Sequence, residues 1–157
     1  MNEYEKLLQK GADANVHICE NYNFRYTGLK GLYCDGSVAL SKDLDSREKA
    51  AVLAEELGHH YTSSGNILDQ SVASNRKQEY RARLWAYNNR IGLKGIIDAT
   101  LSGCRSLEDM AEFFSVSEEF VAEALNTYKE KYSPCTIVDN YLITFEPLGV
   151  LELYKSQ

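Results

Sequence analysis

The sequence lacks a CxxC pair, a long apolar run and an excess of positive charge. Its four cysteines, Cys19, Cys34, Cys104 and Cys135, are scattered. Free thiols without a pairing pattern suit a reducing compartment and argue against a disulfide framework. No stretch approaches the roughly 18 consecutive apolar residues of a membrane span, so no membrane partner is expected. The opening "MNEYEKLLQK" is too charged and polar for a signal peptide, and a cytoplasmic location is expected. Lys and Arg number 17 against 23 Asp and Glu, a net charge of −6. That balance argues against wholesale nucleic-acid binding, where a basic face is expected. Internal repeats and low-complexity tracts are also missing. What is present is a chain of 157 residues, 44% hydrophobic, enough to bury a core without cross-links.

The organisation reads as mixed α+β, then helical, then β-like. "NEYEKLLQK" predicts a short helix closed by Gly11, and "ANVHICE" alternates as a strand does. "RYTGLKGLYCDGSVALSKDL" holds two strand-like runs around the turn signal Asp35-Gly36, which predicts a hairpin. Asp45 with Glu48 three residues later is a capping box, so a helix is expected from about Ser46 to Tyr61, broken by "SSGN". "QSVASNRKQEYRARLWAYNNRIG" predicts a long second helix and "GIIDATLSG" a third. "SLEDMAEFF" and "SEEFVAEALNTYKEKY" form a further pair joined through Ser115-Val116-Ser117. The tail "TIVDNYLITFEPLGVLELY" has strand character.

The chemistry concentrates in "AVLAEELGHHYTSSG", which holds two of the three histidines. Glu55 and His59 are four apart, on one helical face within about 40°. Glu56 borders that face. This is the spacing an HExxH helix uses: two metal ligands one turn apart, with a glutamate beside the bound water. A carboxylate can replace imidazole at such a position, so Glu55-Glu56-x-x-His59 reads as ligand, base, ligand. The rival register, Glu56 with His60, would put Leu57 in the base position, and leucine cannot accept a proton. His60 is left to support a ligand, to contact substrate or to face solvent. Glu/His pairs are also common on solvated faces. Against that stands the apolar run Ala50-Ala51-Val52-Leu53-Ala54, which marks a buried helix where charges need partners. On residues alone the two readings stand level.

A catalytic zinc needs a third protein ligand. In "QEYRARLWAYNNRIG", Glu79 shares a face with Ala82, Trp85 and Ala86, which would put it on the packed side. The alternative is an i,i+4 salt bridge from Glu79 to Arg83.

Three blocks carry a resemblance to a known family. "LAEELGHHYTSSGNI" is similar to an HExGH-like helix. "NRKQEYRARLWAYNNRIG" is similar to a pattern near ExxAxxFA, with Trp85 in the aromatic place. "FFSVSEEFVAEALNTYKEKYS" is similar to the helix pair that follows. With "GLKGLYCDGSVALSKDL" upstream, the chain resembles the ImmA/IrrE family of metallo-endopeptidases, in the short form of Gram-positive phages and mobile elements. The resemblance implies an α+β, zincin-like (gluzincin-like) fold: a short N-terminal sheet, a central motif helix, a following helical bundle and a β-like tail. It implies a metallopeptidase-like core over residues 1–100, with a helix pair and tail over 101–157 packed on it. Metal ligands are implied at Glu55, His59 and Glu79, with Glu56 as general base and zinc as the metal. The departure is Glu55, where the usual pattern has histidine. Two carboxylates and one imidazole form a harder set that should hold zinc less tightly and admit manganese or iron more readily. Such a set also lowers the pKa of a bound water less.

The resemblance further implies an antirepressor, a zinc-dependent endopeptidase that cleaves a helix-turn-helix immunity repressor. A substrate strand is expected along the hairpin edge near "SVALSKDL", by β-strand addition. His60 or Tyr61 would stand near the oxyanion. The rival is a metal-poor module of the same fold that captures the repressor without cutting it. "SLEDMAEFFSVSEEFVAEAL" has the cadence of a DNA-binding helix-turn-helix, but its second helix carries Glu118, Glu119 and Glu123 and no basic residue. Repulsion from phosphate argues against direct nucleic-acid contact and for core packing or protein docking.

Overall fold

The computed structural model describes residues 1–25, 28–62 and 72–154. The chain divides into two compact units, Met1–Asn89 and Arg90–Gln157, and the fold is mixed α+β.

The first unit opens with helix α1, Glu3–Asp13. Asn2 caps it and Glu5 closes a reciprocal capping box. The helix runs past Gly11 instead of ending there. Gly11 is a packing position: a Cβ on it would come within 2.6 Å of Ile18 Cδ1. The left-handed residue beyond the helix is Asn15, at φ 59°.

Three strands follow, β1 (His17–Tyr22), β2 (Gly31–Cys34) and β3 (Ser37–Ser41), in the order β1-β3-β2. β2 and β3 are the expected hairpin, turned by Asp35 and Gly36 at positive φ. β1 joins β3 in parallel. β3 is therefore central, with both edges paired. This corrects the expectation that "SVALSKDL" offers a free edge; the free edge of the hairpin is β2. Val38 and Leu40 of β3 are buried at 1% and 0% exposure.

Helix α2, Ser46–Thr62, starts at the expected cap, where the Asp45 carboxylate accepts from Glu48 N–H at 2.8 Å. From Ala50 to Glu56 no residue is exposed. The break expected at Ser63–Asn66 lies outside the described residues. Helix α3, Val72–Arg90, buries Ala82 and Ala86. Tyr61 of α2 stacks on Trp85 of α3 with centroids 5.1 Å apart, and Lys10 of α1 lies over the same indole.

The second unit holds α4 (Gly92–Leu101), α5 (Leu107–Phe114), α6 (Glu118–Tyr132) and the antiparallel strands β4 (Cys135–Val138), β5 (Tyr141–Phe145) and β6 (Leu148–Glu152). Ser106 and Ser117 cap α5 and α6. Ser115 between them is left-handed at φ 55°, and Arg90 donates to the carbonyls of Phe114 and Ser115. Phe120, Val121, Ala124 and Tyr128 of α6 are buried, while Glu118, Glu119 and Glu123 face outward. The three strands form a meander with Ile143 and Phe145 inward.

Candidate metal centre

Leu53, Ala54 and Leu57, all at 0% exposure, fasten one face of α2 to the core. Glu55 and His59 are thereby turned to the flank that meets α3. Gly58 lies where the two helices cross. A Cβ there would collide with the carbonyl oxygen of Ala82. Only glycine lets the backbones approach so closely, and Glu79 stands one turn before Ala82. That contact carries Glu79 to the motif.

One donor atom from each of Glu55, His59 and Glu79 lies within 4.8 Å of the others. His59 Nε2 stands 3.5 Å from Glu79 Oε1. Arg83, proposed from sequence as the partner of Glu79, reaches across to Glu55, with Nε 3.5 Å from Oε1. The Glu79 side chain is 52% exposed. It sits at the rim of α3 and not on the packed side that its spacing from Ala82 and Ala86 suggested. A long side chain reaches the motif from there.

Glu56 faces β2. Gly31 makes the room: a Cβ on it would come within 3.2 Å of Glu56 Cγ and Oε1. The backbone N–H of Tyr33 donates to the Glu56 carboxylate. Burial first, then the charges of Glu55 and Glu79, push the Glu56 carboxyl up to about 8, against the opposing pull of that N–H. His60 is half-buried, its Nδ1 2.9 Å from the Tyr33 hydroxyl. Tyr61 is 43% exposed. Sequence reading gave no role to Tyr33 or to Gly58, although Gly58 stands in the glycine place of the HExGH-like helix; each matters through a partner distant in the chain.

The donor chemistry fits a divalent ion. Two carboxylates and an imidazole close on one point, and zinc, manganese and iron all accept oxygen and imidazole donors. The pressure on Glu56 is the second sign. Three carboxyl groups share a small volume with one arginine, and burial and mutual repulsion push one of them, Glu56, towards its protonated form. A cation would relieve that repulsion.

The family model for the IrrE N-terminal-like domain, Peptidase_M78, matches residues 14–126. The chain belongs to this ImmA/IrrE family. Peptidase_M78 is a family of metal-dependent proteases, and the match spans the sheet, α2, α3 and the Glu55/His59/Glu79 group. No curated protein matches the chain. Among the described residues no helix is long and apolar enough to cross a membrane.

Gly58→Ala is expected to cost roughly 1–3 kcal/mol, because the clash is with backbone and no rotamer relieves it. The same shift should carry Glu79 away and weaken divalent-ion binding. Urea denaturation and a zinc titration test this, and wild-type behaviour in both would refute the close crossing.

The metal-free protein should also lose stability as pH rises towards 8. Below about 4.3, the pKa of an unfolded glutamate, folded and unfolded states both hold the Glu56 proton and its stabilisation is fully present. Between there and about 8 only the folded state holds it, so each rise in pH favours unfolding. The loss is on the order of 5 kcal/mol. Glu56→Gln should abolish this part of the slope in chelator. Parallel stability profiles for the two proteins would contradict it.

Proposed function

We propose that the protein is a metal-dependent endopeptidase acting as an antirepressor, with a helix-turn-helix repressor of a phage or mobile element as its substrate. The observation that carries this reading is the Glu55/His59/Glu79 convergence beside the half-buried Glu56 in a Peptidase_M78 domain. Glu55, His59 and Glu79 would hold the ion, zinc in the first instance and manganese or iron as alternatives. When bound, the ion supplies Lewis acidity to the scissile carbonyl. Glu56 takes the proton of the attacking water and passes it to the leaving amine. Tyr33 N–H holds the Glu56 carboxylate in place.

The substrate strand would add to β2. Ser41 N–H donates to Lys30 O, so in the antiparallel register Leu32 and Cys34 also bond to β3. Gly31 and Tyr33 then point their carbonyls outward, beside Glu56. Those carbonyls are the natural acceptors for an extended peptide.

Metal analysis of protein purified without chelator, and incubation with the element's own repressor, test the reading. The expected result is about one divalent ion per chain, low in Glu79→Ala, and a defined cut in the repressor that chelator abolishes. Stable capture of the repressor without cleavage, in protein loaded with zinc or manganese, would favour the binding module instead.

A further inference from the structure

Tyr33 lies outside the Glu55-Glu56-x-x-His59 motif, yet it links most of the site. Its hydroxyl accepts from Gly36 N–H at 3.1 Å and meets His60 Nδ1 at 2.9 Å. Its ring lies nearly parallel to that of His59, 9° apart with centroids at 6.5 Å, and edge-on to His60 at 5.6 Å. Its backbone N–H serves Glu56. One residue of an edge strand thus meets Glu56, His59 and His60 of α2, and its hydroxyl also closes its own hairpin turn.

A phenol has one proton to give and two lone pairs to fill. Gly36 N–H fills one lone pair. The 2.9 Å contact with His60 Nδ1 gives the phenolic proton a partner; donated in that direction, it leaves Nδ1 as the acceptor. We propose that Tyr33 is the positioning residue of the site, and that the Gly36–Tyr33–His60 relay holds His60 as the Nε2–H tautomer and pins the free edge of β2 to the motif helix. The pin sets the register of the edge where a substrate strand would add, relative to Glu56. This last role rests on the peptidase reading; the pin itself does not.

The other residues of β2 make no such link: Leu32 is exposed and apolar, Gly31 has no side chain, and the Cys34 thiol is exposed. The turn that follows holds Asp35 and Gly36 at positive φ, and its Gly36 N–H is the group that the Tyr33 hydroxyl accepts from.

The test needs no substrate at first. In wild-type, metal-free protein, nitrogen NMR of the imidazoles should show His60 as the Nε2–H tautomer. Tyr33→Phe should mix the tautomers and speed exchange of the Gly36 amide roughly five- to tenfold, the worth of one hydrogen bond. His60→Asn, which keeps an acceptor near the Nδ1 position, should retain that amide's protection, and His60→Ala should lose it. Zinc affinity of Tyr33→Phe should stay within about twofold, since the lost hydroxyl bonds to His60 and Gly36 and to none of the three donors. With the repressor as substrate, Tyr33→Phe should lower kcat about tenfold more than it changes KM, as misplacement of a reacting group does. An Nδ1–H tautomer in wild type, or equal Gly36 exchange in Tyr33→Phe, would overturn the pin. A pin that stands in a protein with no cleavage at all would count against the peptidase reading alone.

Discussion

Glu56→Gln is expected to keep its divalent ion and to lose turnover by about 10²–10⁴-fold, the worth of a general base. The amide has the shape of the acid it replaces, and its oxygen can still accept from Tyr33 N–H. It cannot take a proton from water. Glu56 is outside the Glu55/His59/Glu79 donor group, so metal affinity should survive. The pH dependence of binding should weaken as well. In the wild type an incoming cation favours ionised Glu56, and below about 8 that means expelling a proton. Calorimetric titrations in buffers of different ionisation enthalpy would count the proton. Loss of the ion together with turnover would remove Glu56 from the role of base and make it a ligand.

Glu79→Ala and Glu55→Ala should each weaken divalent-ion binding by at least about 10²-fold, more than is typical for groups outside the donor set. The two should differ in their side effects. Removing Glu55 strips Arg83 of its partner 3.5 Å away and leaves a guanidinium facing the site, which adds repulsion. Removing Glu79 leaves that pair intact but frees His59, whose Nε2 lies 3.5 Å from the lost carboxylate. Glu55→His should tighten zinc binding by softening the set and restoring the family's usual ligand. Competition against a zinc-chelating dye measures all three. Unchanged affinity in Glu79→Ala would end the three-donor centre, whatever the fate of Glu55.

Much of the architecture was legible because it depends on residues close in sequence. The Asp45 cap, the Asp35-Gly36 turn and the serines before α5 and α6 act within three or four positions, and each element formed where those signals stand. Gly11 misled for an instructive reason. Glycine can end a helix or permit a close contact, and the sequence does not say which. The contact with Ile18 makes it the second.

What the sequence determined by itself was the helical spacing of Glu55, Glu56 and His59, since four residues on an α-helix always make one turn. Everything that turns this spacing into a centre came from tertiary structure. Gly58 against Ala82 lets α3 approach and brings up Glu79, although Glu79 is exposed and lies off the packed face. The parallel addition of β1 makes β3 central and leaves β2 as the edge beside Glu56. Arg83 meets Glu55 and Tyr33 meets His60 across gaps of 28 and 27 residues, which no local pattern encodes. Local spacing decides which side chains share a face. Only the packing of one backbone on another decides what that face will meet.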